Sequence, residues 1–247
     1  MSIWIGAALV AAVFVTSAIS GIFGMAGGLI LLGILLMLMP VGTAIAVQGM
    51  VQLIANGSRA WLSRAWINWS SLGFIIIGLV AAAITLLILR YTPDLATVCI
   101  AIGLMPILVW IPQRWLTLDA SRPHQAMICG LVAGGLNLAV GVSGPTIDIF
   151  FIRTPMDRRT IIATKAATQV LSHAVKIVFY WNATMVLTPI EWTGILLAAP
   201  FAIGGTSFGH WILQRLTDAN FRRWTRLIVT AIGIFYLIRG LSLLGAI

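Results

Sequence analysis

The segment from His124 to Ile152 limits the folds open to this chain more than any other. It is largely apolar and is interrupted once, by Gly141-Val-Ser143-Gly144-Pro145. Crossing a hydrocarbon core about 30 Å thick takes about 20 helical residues. The segment holds roughly 30 in all, too few for two crossings. It is therefore read as a helical hairpin that enters the membrane, turns at the break and returns to the side it came from. A turn at that depth exposes backbone N–H groups that lipid cannot satisfy, so it must face protein or a water-filled cavity.

The membrane setting comes from composition. Of 247 residues, 60% are hydrophobic and 9% charged, and apolar runs follow one another from Ile3 to Leu244. The class is an all-α polytopic membrane protein. No charged stretch precedes the first run in the manner of a secretory signal, so that run is read as a retained membrane segment. The net charge of +9 does not indicate nucleic acid. The arginines sit in short gaps between apolar runs, where they act as topology signals, and no basic tail or soluble aromatic-rich domain accompanies them. Cys99 and Cys129 lie inside apolar runs and specify neither a disulfide nor a metal site. The reading calls for no metal and no cofactor. The expected partners are the lipid bilayer, a small solute and at most further copies of the same chain.

The apolar runs fall into two sets. The first holds 3–20 and 29–39, with a glycine break from Gly21 to Gly28 between them, then 43–58, 70–89 and 95–111. The second holds the hairpin 124–152, then 160–181, 189–213 and 227–244. A shift of 117 positions lays Gly24-Met-Ala-Gly27-Gly28 on Gly141–Pro145. The same shift lays Gln48 on Lys165, Gln52 on Gln169, Asn56 on His173 and Arg59 on Lys176. One membrane domain is expected, built from a first repeat 1–112, a linker 113–123 and a second repeat 124–247. Three crossings follow each hairpin, an odd number, so the second repeat is inverted with respect to the first. The first hairpin is long enough to cross twice or to dip; either way its ends share a side. This topology puts Arg59, Arg64, Arg114, Arg122, Arg153, Arg158, Arg159, Arg215, Arg222, Arg223 and Arg226 on one face. Only Arg90 and Arg239 fall on the other. By the positive-inside rule both termini are outside and the arginine-rich face is cytoplasmic.

The chemistry concentrates on two helices. The run 160–181 carries Lys165, Gln169, Ser172, His173 and Lys176 at helical spacing, and 43–58 carries Gln48, Gln52 and Asn56 in the same register. A polar stripe on a membrane-length helix reads as a site or pathway, against the plainer alternative of interhelical hydrogen bonding. The return helices begin near Gly27-Gly28 and near Ser143-Gly144-Pro145. Their N–H groups and dipoles suit an anion. Ser143 suits an N-cap and Pro145 a helix start. The candidate substrate-binding residues are Gly24, Gly27, Gly28, Gln48, Gln52, Asn56, Ser143, Gly144, Pro145, Lys165, Gln169 and His173. Asp148 and Lys176 are candidates for proton or charge coupling, and Asp148 is also a partner for Lys165. His173 has the alternative of a satisfied core histidine.

These two glycine breaks, with Gln48 to Arg59 after the first and Ala163-Thr-Lys165 to His173 after the second, resemble the sulfite exporter TauE/SafE family of membrane proteins. The resemblance runs over nearly the whole chain. Ala26 and Ser143 interrupt the glycines here, and Pro145 stands in a glycine place. The resemblance implies a transporter of small sulfur-containing anions, sulfite or an organosulfonate, in the cytoplasmic membrane. The residues alone give an anion-facing site and secondary transport by alternating access. Two alternatives remain open on the sequence. One is an intramembrane serine protease, from the GxSG pattern at Gly141–Gly144 with His173 as base. The other is a passive anion channel.

Overall fold

A computed structural model describes residues 3–23, 26–112, 115, 117–215 and 218–245. All the regular structure among these is helical. In order it comprises α1 (Ile3–Phe23), α2 (Ala26–Leu38), α3 (Val41–Leu62), a 3-10 turn (Arg64–Trp66), α4 (Trp69–Ile88), α5 (Leu95–Leu104) and α6 (Pro106–Trp110). Then follow α7 (Pro123–Val140), α8 (Gly144–Phe151), α9 (Arg158–Phe179), α10 (Trp181–Thr184), α11 (Pro189–Leu213) and α12 (Asp218–Leu243).

Side chains in the loops start several of these helices. Asn68 accepts from Ser71 N, Asp94 from Thr97 N, and Asp157 from Arg159 N and Thr160 N. Thr188 and Glu191 form a reciprocal capping box on α11, satisfying donors that the first turn leaves free. Hydrogen bonds from Thr160 hold the Asp157 carboxyl below the usual carboxylate range.

Length and polarity divide the helices. Among the described residues, Trp69–Ile88, Glu191–Leu213 and Arg223–Leu243 are long and apolar enough to cross a membrane. The 22-residue α3 and α9 are equally long but carry the polar stripes. The 13-residue α2 and 8-residue α8 rise only about 20 and about 12 Å. They follow α1 and α7 across the two breaks.

Packing follows the small residues. α1 lies along α11, where a Cβ on Gly205 or Gly209 would strike the α1 backbone and one on Gly21 the α11 backbone. α7 lies along α4 in the same way. A Cβ on Gly78 would strike Met127 O, and one on Gly130 would strike Ile75 O. Backbone contact this close is open only to the smallest residues. α3 and α9 face each other antiparallel in the middle. Thr43 Oγ1 at the start of α3 donates to Ala183 O beyond the end of α9, at 3.3 Å. Asn68 N, beyond the other end of α3, donates to Thr164 Oγ1 near the start of α9, at 3.0 Å. An apolar cluster including Leu32, Leu35, Ile45, Val98 and Tyr236 fills the space beside this pair.

Several boundaries differ from the sequence expectation. The break expected from Gly21 to Gly28 is shorter, because α1 runs on to Phe23 and α2 starts at Ala26, so Gly21, Gly27 and Gly28 are helical. The run 95–111 is two helices, because Pro106 has no N–H and its ring conflicts with the carbonyl four residues back. α3 runs on to Leu62, so Arg59 belongs to the helix and not to a loop. It turns back to hydrogen-bond Asn56, one turn earlier. α9 starts at Arg158, set by the Asp157 cap. α12 starts at Asp218, which makes the stretch containing Arg222, Arg223 and Arg226 helical; arginine is a good helix former. Gly24 and Arg114 lie outside the described residues.

Gly130→Val is expected to destabilise the protein by about 3 kcal/mol, the upper part of the overpacking range. Gly57, with open space around the position of its missing Cβ, is the contrast. Gly57→Ala is expected to stabilise by about 0.5–1 kcal/mol, because it sits inside a helix. Thermal unfolding in detergent measures both.

Candidate functional site

The turn between α7 and α8, residues of α1 and α2 that flank the first break, and the two polar stripes meet at one small cavity. Its wall includes Ser20 and Gly28 from the first hairpin, Gln48 and Gln52 from α3, and Asn137 from α7. The turn Gly141–Pro145 and Gln169, Ser172 and His173 from α9 complete it. Its free volume is about 30 Å³, room for two or so water molecules.

The local geometry follows from the break. Gly141 adopts φ +86°, the left-handed region that terminates α7 and that favours glycine. Its N–H donates to Asn137 O at 3.1 Å. Ser143 occupies the N-cap position of α8, but its side chain makes no capping bond. The hydroxyl is thus not committed to the helix it precedes. Gly28 is needed for close approach, since a Cβ there would lie 3.0 Å from Gln52 Nε2 and 3.3 Å from Gln48 Nε2.

A buried cation lies directly behind this wall. Lys176 is fully buried, at 0% exposure. Its Nζ donates to Gln48 Oε1 at 2.5 Å, Gly141 O at 2.9 Å and Asn137 Oδ1 at 3.3 Å. Three acceptors around one nitrogen use three N–H bonds, the full complement of an ammonium. All three acceptors belong to cavity residues. Toward the other end of α3, Arg59 donates to Asn56 Oδ1, and Asn56 Nδ2 donates to Gln52 Oε1 at 3.4 Å. Among the polar atoms buried here without a partner are Asn137 Nδ2, His173 Nδ1 and Arg59 Nε.

The candidate residues thus separate. Gly28, Gln48, Gln52, Ser143, Gly144, Pro145, Gln169 and His173 share the cavity. Asn56 is buried behind it, bonded to Gln52 and Arg59. Gly27 is a packing residue, because a Cβ there would strike Thr16 O and Ser20 N of α1. Lys165 is not in the cavity wall. It pairs with Asp148 of α8, both about a third exposed. Lys165 lies two turns further toward the N-terminal end of α9 than His173, and that reach brings it to α8. Ser143 and His173 share the cavity wall, yet no hydrogen bond joins them among the described residues. Asn137 and Ser20 were not anticipated from the sequence. They correspond under the same 117-position shift, each four residues before a break glycine, and that correspondence was the signal available.

A second, open cavity of about 460 Å³ lies between Pro40–Gly42, Tyr91–Pro93 and Phe179–Ala183. Two of its lining residues hydrogen-bond to the end of α7, the Tyr180 hydroxyl donating to Leu138 O at 2.6 Å and the Tyr91 hydroxyl to Ala139 O at 3.1 Å. With Lys176 on Gly141 O, three side chains hold the last carbonyls of α7. At the opposite end of α3 and α9, arginines stack on tryptophans: Arg64 on Trp61, Arg159 on Trp66, Arg215 on Trp211 and Arg226 on Trp110.

The family model described as Sulfite exporter TauE/SafE matches residues 9–236. Comparisons with curated proteins and with solved structures gave no match.

Because Asp148 and Lys165 are partly exposed, their attraction is modest. A double-mutant cycle with Asp148→Asn and Lys165→Gln is expected to give a coupling of about 1 kcal/mol in thermal unfolding. Additivity of the two variants would show that the pair does not contribute.

Proposed function

Since the chain belongs to the sulfite exporter TauE/SafE family, an integral membrane family of transporters, we propose that it is a secondary transporter. On this reading it exports a small anion, sulfite or an organosulfonate, across the cytoplasmic membrane by alternating access around the central cavity. The observation that carries the reading is the meeting, at one cavity, of the α7–α8 break, the flanks of the first break and both polar stripes. Discontinuous helices in paired positions are the usual pointer to a transporter site. The cavity's present volume, about 30 Å³, is small for a sulfonate, so loading requires the walls to part. On this reading the open 460 Å³ cavity serves as the approach from one side.

The two halves act as inverted repeats on this reading. α3 and α9 correspond residue for residue under the 117-position shift and run antiparallel, as inversion requires. The pairings are exchanged as well: α1 packs on α11, and its counterpart α7 packs on α4. The arginine–tryptophan pairs cluster at one end of α3 and α9, as residues at a membrane–water interface do. They support a cytoplasmic placement for that end, which sets the open cavity and both termini outside in a multi-pass topology.

Purified protein in liposomes should carry sulfite or taurine-type sulfonates, with a rate that responds to an imposed pH gradient if protons are coupled. Gln52→Leu and Gln169→Leu are each expected to lower kcat/KM by about tenfold or more, the cost of losing a buried hydrogen bond to a charged solute. Absence of flux for either class of anion would overturn the reading.

A further inference from the structure

We propose that Lys176, with Arg59 as its counterpart, fixes the direction of the carboxamides around the central cavity. It thereby makes the cavity a receptor for small oxyanions, in preference to cations or neutral solutes of the same size. This rests on the reading of the cavity as the anion site, and it names the positioning residue that gives that site its charge selectivity.

The argument begins with donors and acceptors. An ammonium and a guanidinium can only donate. A carboxamide that touches either must present its oxygen and turn its NH₂ elsewhere. Lys176 takes the oxygens of Gln48 and Asn137. The Asn137 NH₂ is then left without any protein partner, in a residue 1% exposed on the cavity wall. The Gln48 NH₂ makes one long bond, to Gly28 O at 3.4 Å, as long as the one by which Asn56 reaches Gln52. Arg59 does the same through one intermediate. It takes the oxygen of Asn56, whose NH₂ takes the oxygen of Gln52. The Gln52 NH₂ is then turned toward Gly28. Three cavity amides thus direct their donor ends away from two cations, and the cations polarise those donors further.

The charge balance points the same way. Ion pairs among the described residues join Arg122 to Asp119 and Lys165 to Asp148. Neither Lys176 nor Arg59 has a carboxylate partner there. A buried cation solvated only by neutral oxygens still lacks a counter-charge. An oxyanion in the cavity would supply it and accept from the free NH₂ groups at once. A cation would face donor ends and like charge, which excludes it.

The test compares methanesulfonate with dimethyl sulfone, a neutral solute of closely similar shape, by calorimetric titration of the purified protein. Wild type is expected to favour methanesulfonate by about thirtyfold or more, the lower range for removing one partner of a buried charge pair. In Lys176→Met the preference should collapse toward one while the protein stays folded, since an apolar replacement of similar length removes a buried charge outright. A role limited to packing would weaken both solutes alike and leave their ratio unchanged. Asn137→Asp carries the test independently if Lys176→Met fails to fold. Its carboxylate supplies Lys176 with an internal counter-charge, so methanesulfonate binding should be lost with stability kept. A wild type that binds neither solute overturns the anion reading together with this proposal. A wild type that binds both equally overturns the charge selectivity proposed here. A wild type that prefers methanesulfonate, with both variants unchanged or the loss confined to Lys165→Gln, overturns this proposal alone.

Discussion

A helix that stops inside an apolar layer leaves backbone groups that must find partners there, because neither lipid nor packed side chains can solvate them. The whole centre of this protein depends on meeting that requirement at the end of α7. The carbonyls of Leu138, Ala139 and Gly141 are taken by Tyr180, Tyr91 and Lys176. Those three side chains come from the residue that caps α9, from the loop between α4 and α5, and from α9 itself. Within α2, the Tyr236 hydroxyl of α12 donates to Leu29 O at 2.8 Å. The end of α7 is therefore held by partners distant in sequence, and the cavity lies beside it.

A different kind of contact holds the frame around this centre. Along α1–α11 and α4–α7, glycines let backbones touch, and such contacts leave little room for adjustment. In the middle, α3 and α9 meet through amides, hydroxyls and charged side chains, some with unspent hydrogen-bonding capacity. Tight apolar packing and incompletely satisfied polar groups are thus segregated, the first at the pairs that flank the molecule and the second along α3 and α9 in the middle.

Much of this was legible in the sequence because it has a period or a length. The 29-residue hairpin limit, taken as roughly 30, follows from rise per residue, and the stripes follow from 3.6-residue spacing. The depth of each stripe residue was not legible. Lys165 and Lys176 lie on the same helix face, and spacing cannot say which one meets a carboxylate and which meets only neutral oxygens. That depends on α8 and α7, which approach α9 at different heights. Asn137 escaped because α7 is otherwise largely apolar and a single amide looks incidental. Its match to Ser20 under the repeat shift marked it, had every intramembrane polar position been compared. The bend at Pro106 was available from proline chemistry alone, but the run of apolar residues around it read as one span.

The fixed charge of Lys176 also gives the membrane voltage something to act on. Its three bonds go to α3 and to the end of α7, so the ammonium cannot swing freely to follow a field. On the alternating-access reading, an empty cavity carries uncompensated positive charge, and a bound monoanion cancels one unit of it. Resetting the empty protein would then move charge through the field, at about 2.3 kcal/mol per unit charge per 100 mV, whereas the monoanion-loaded step would move one unit less. A dianion would shift the balance by a further unit, so the ionisation state of the cargo determines which half of the cycle the voltage drives.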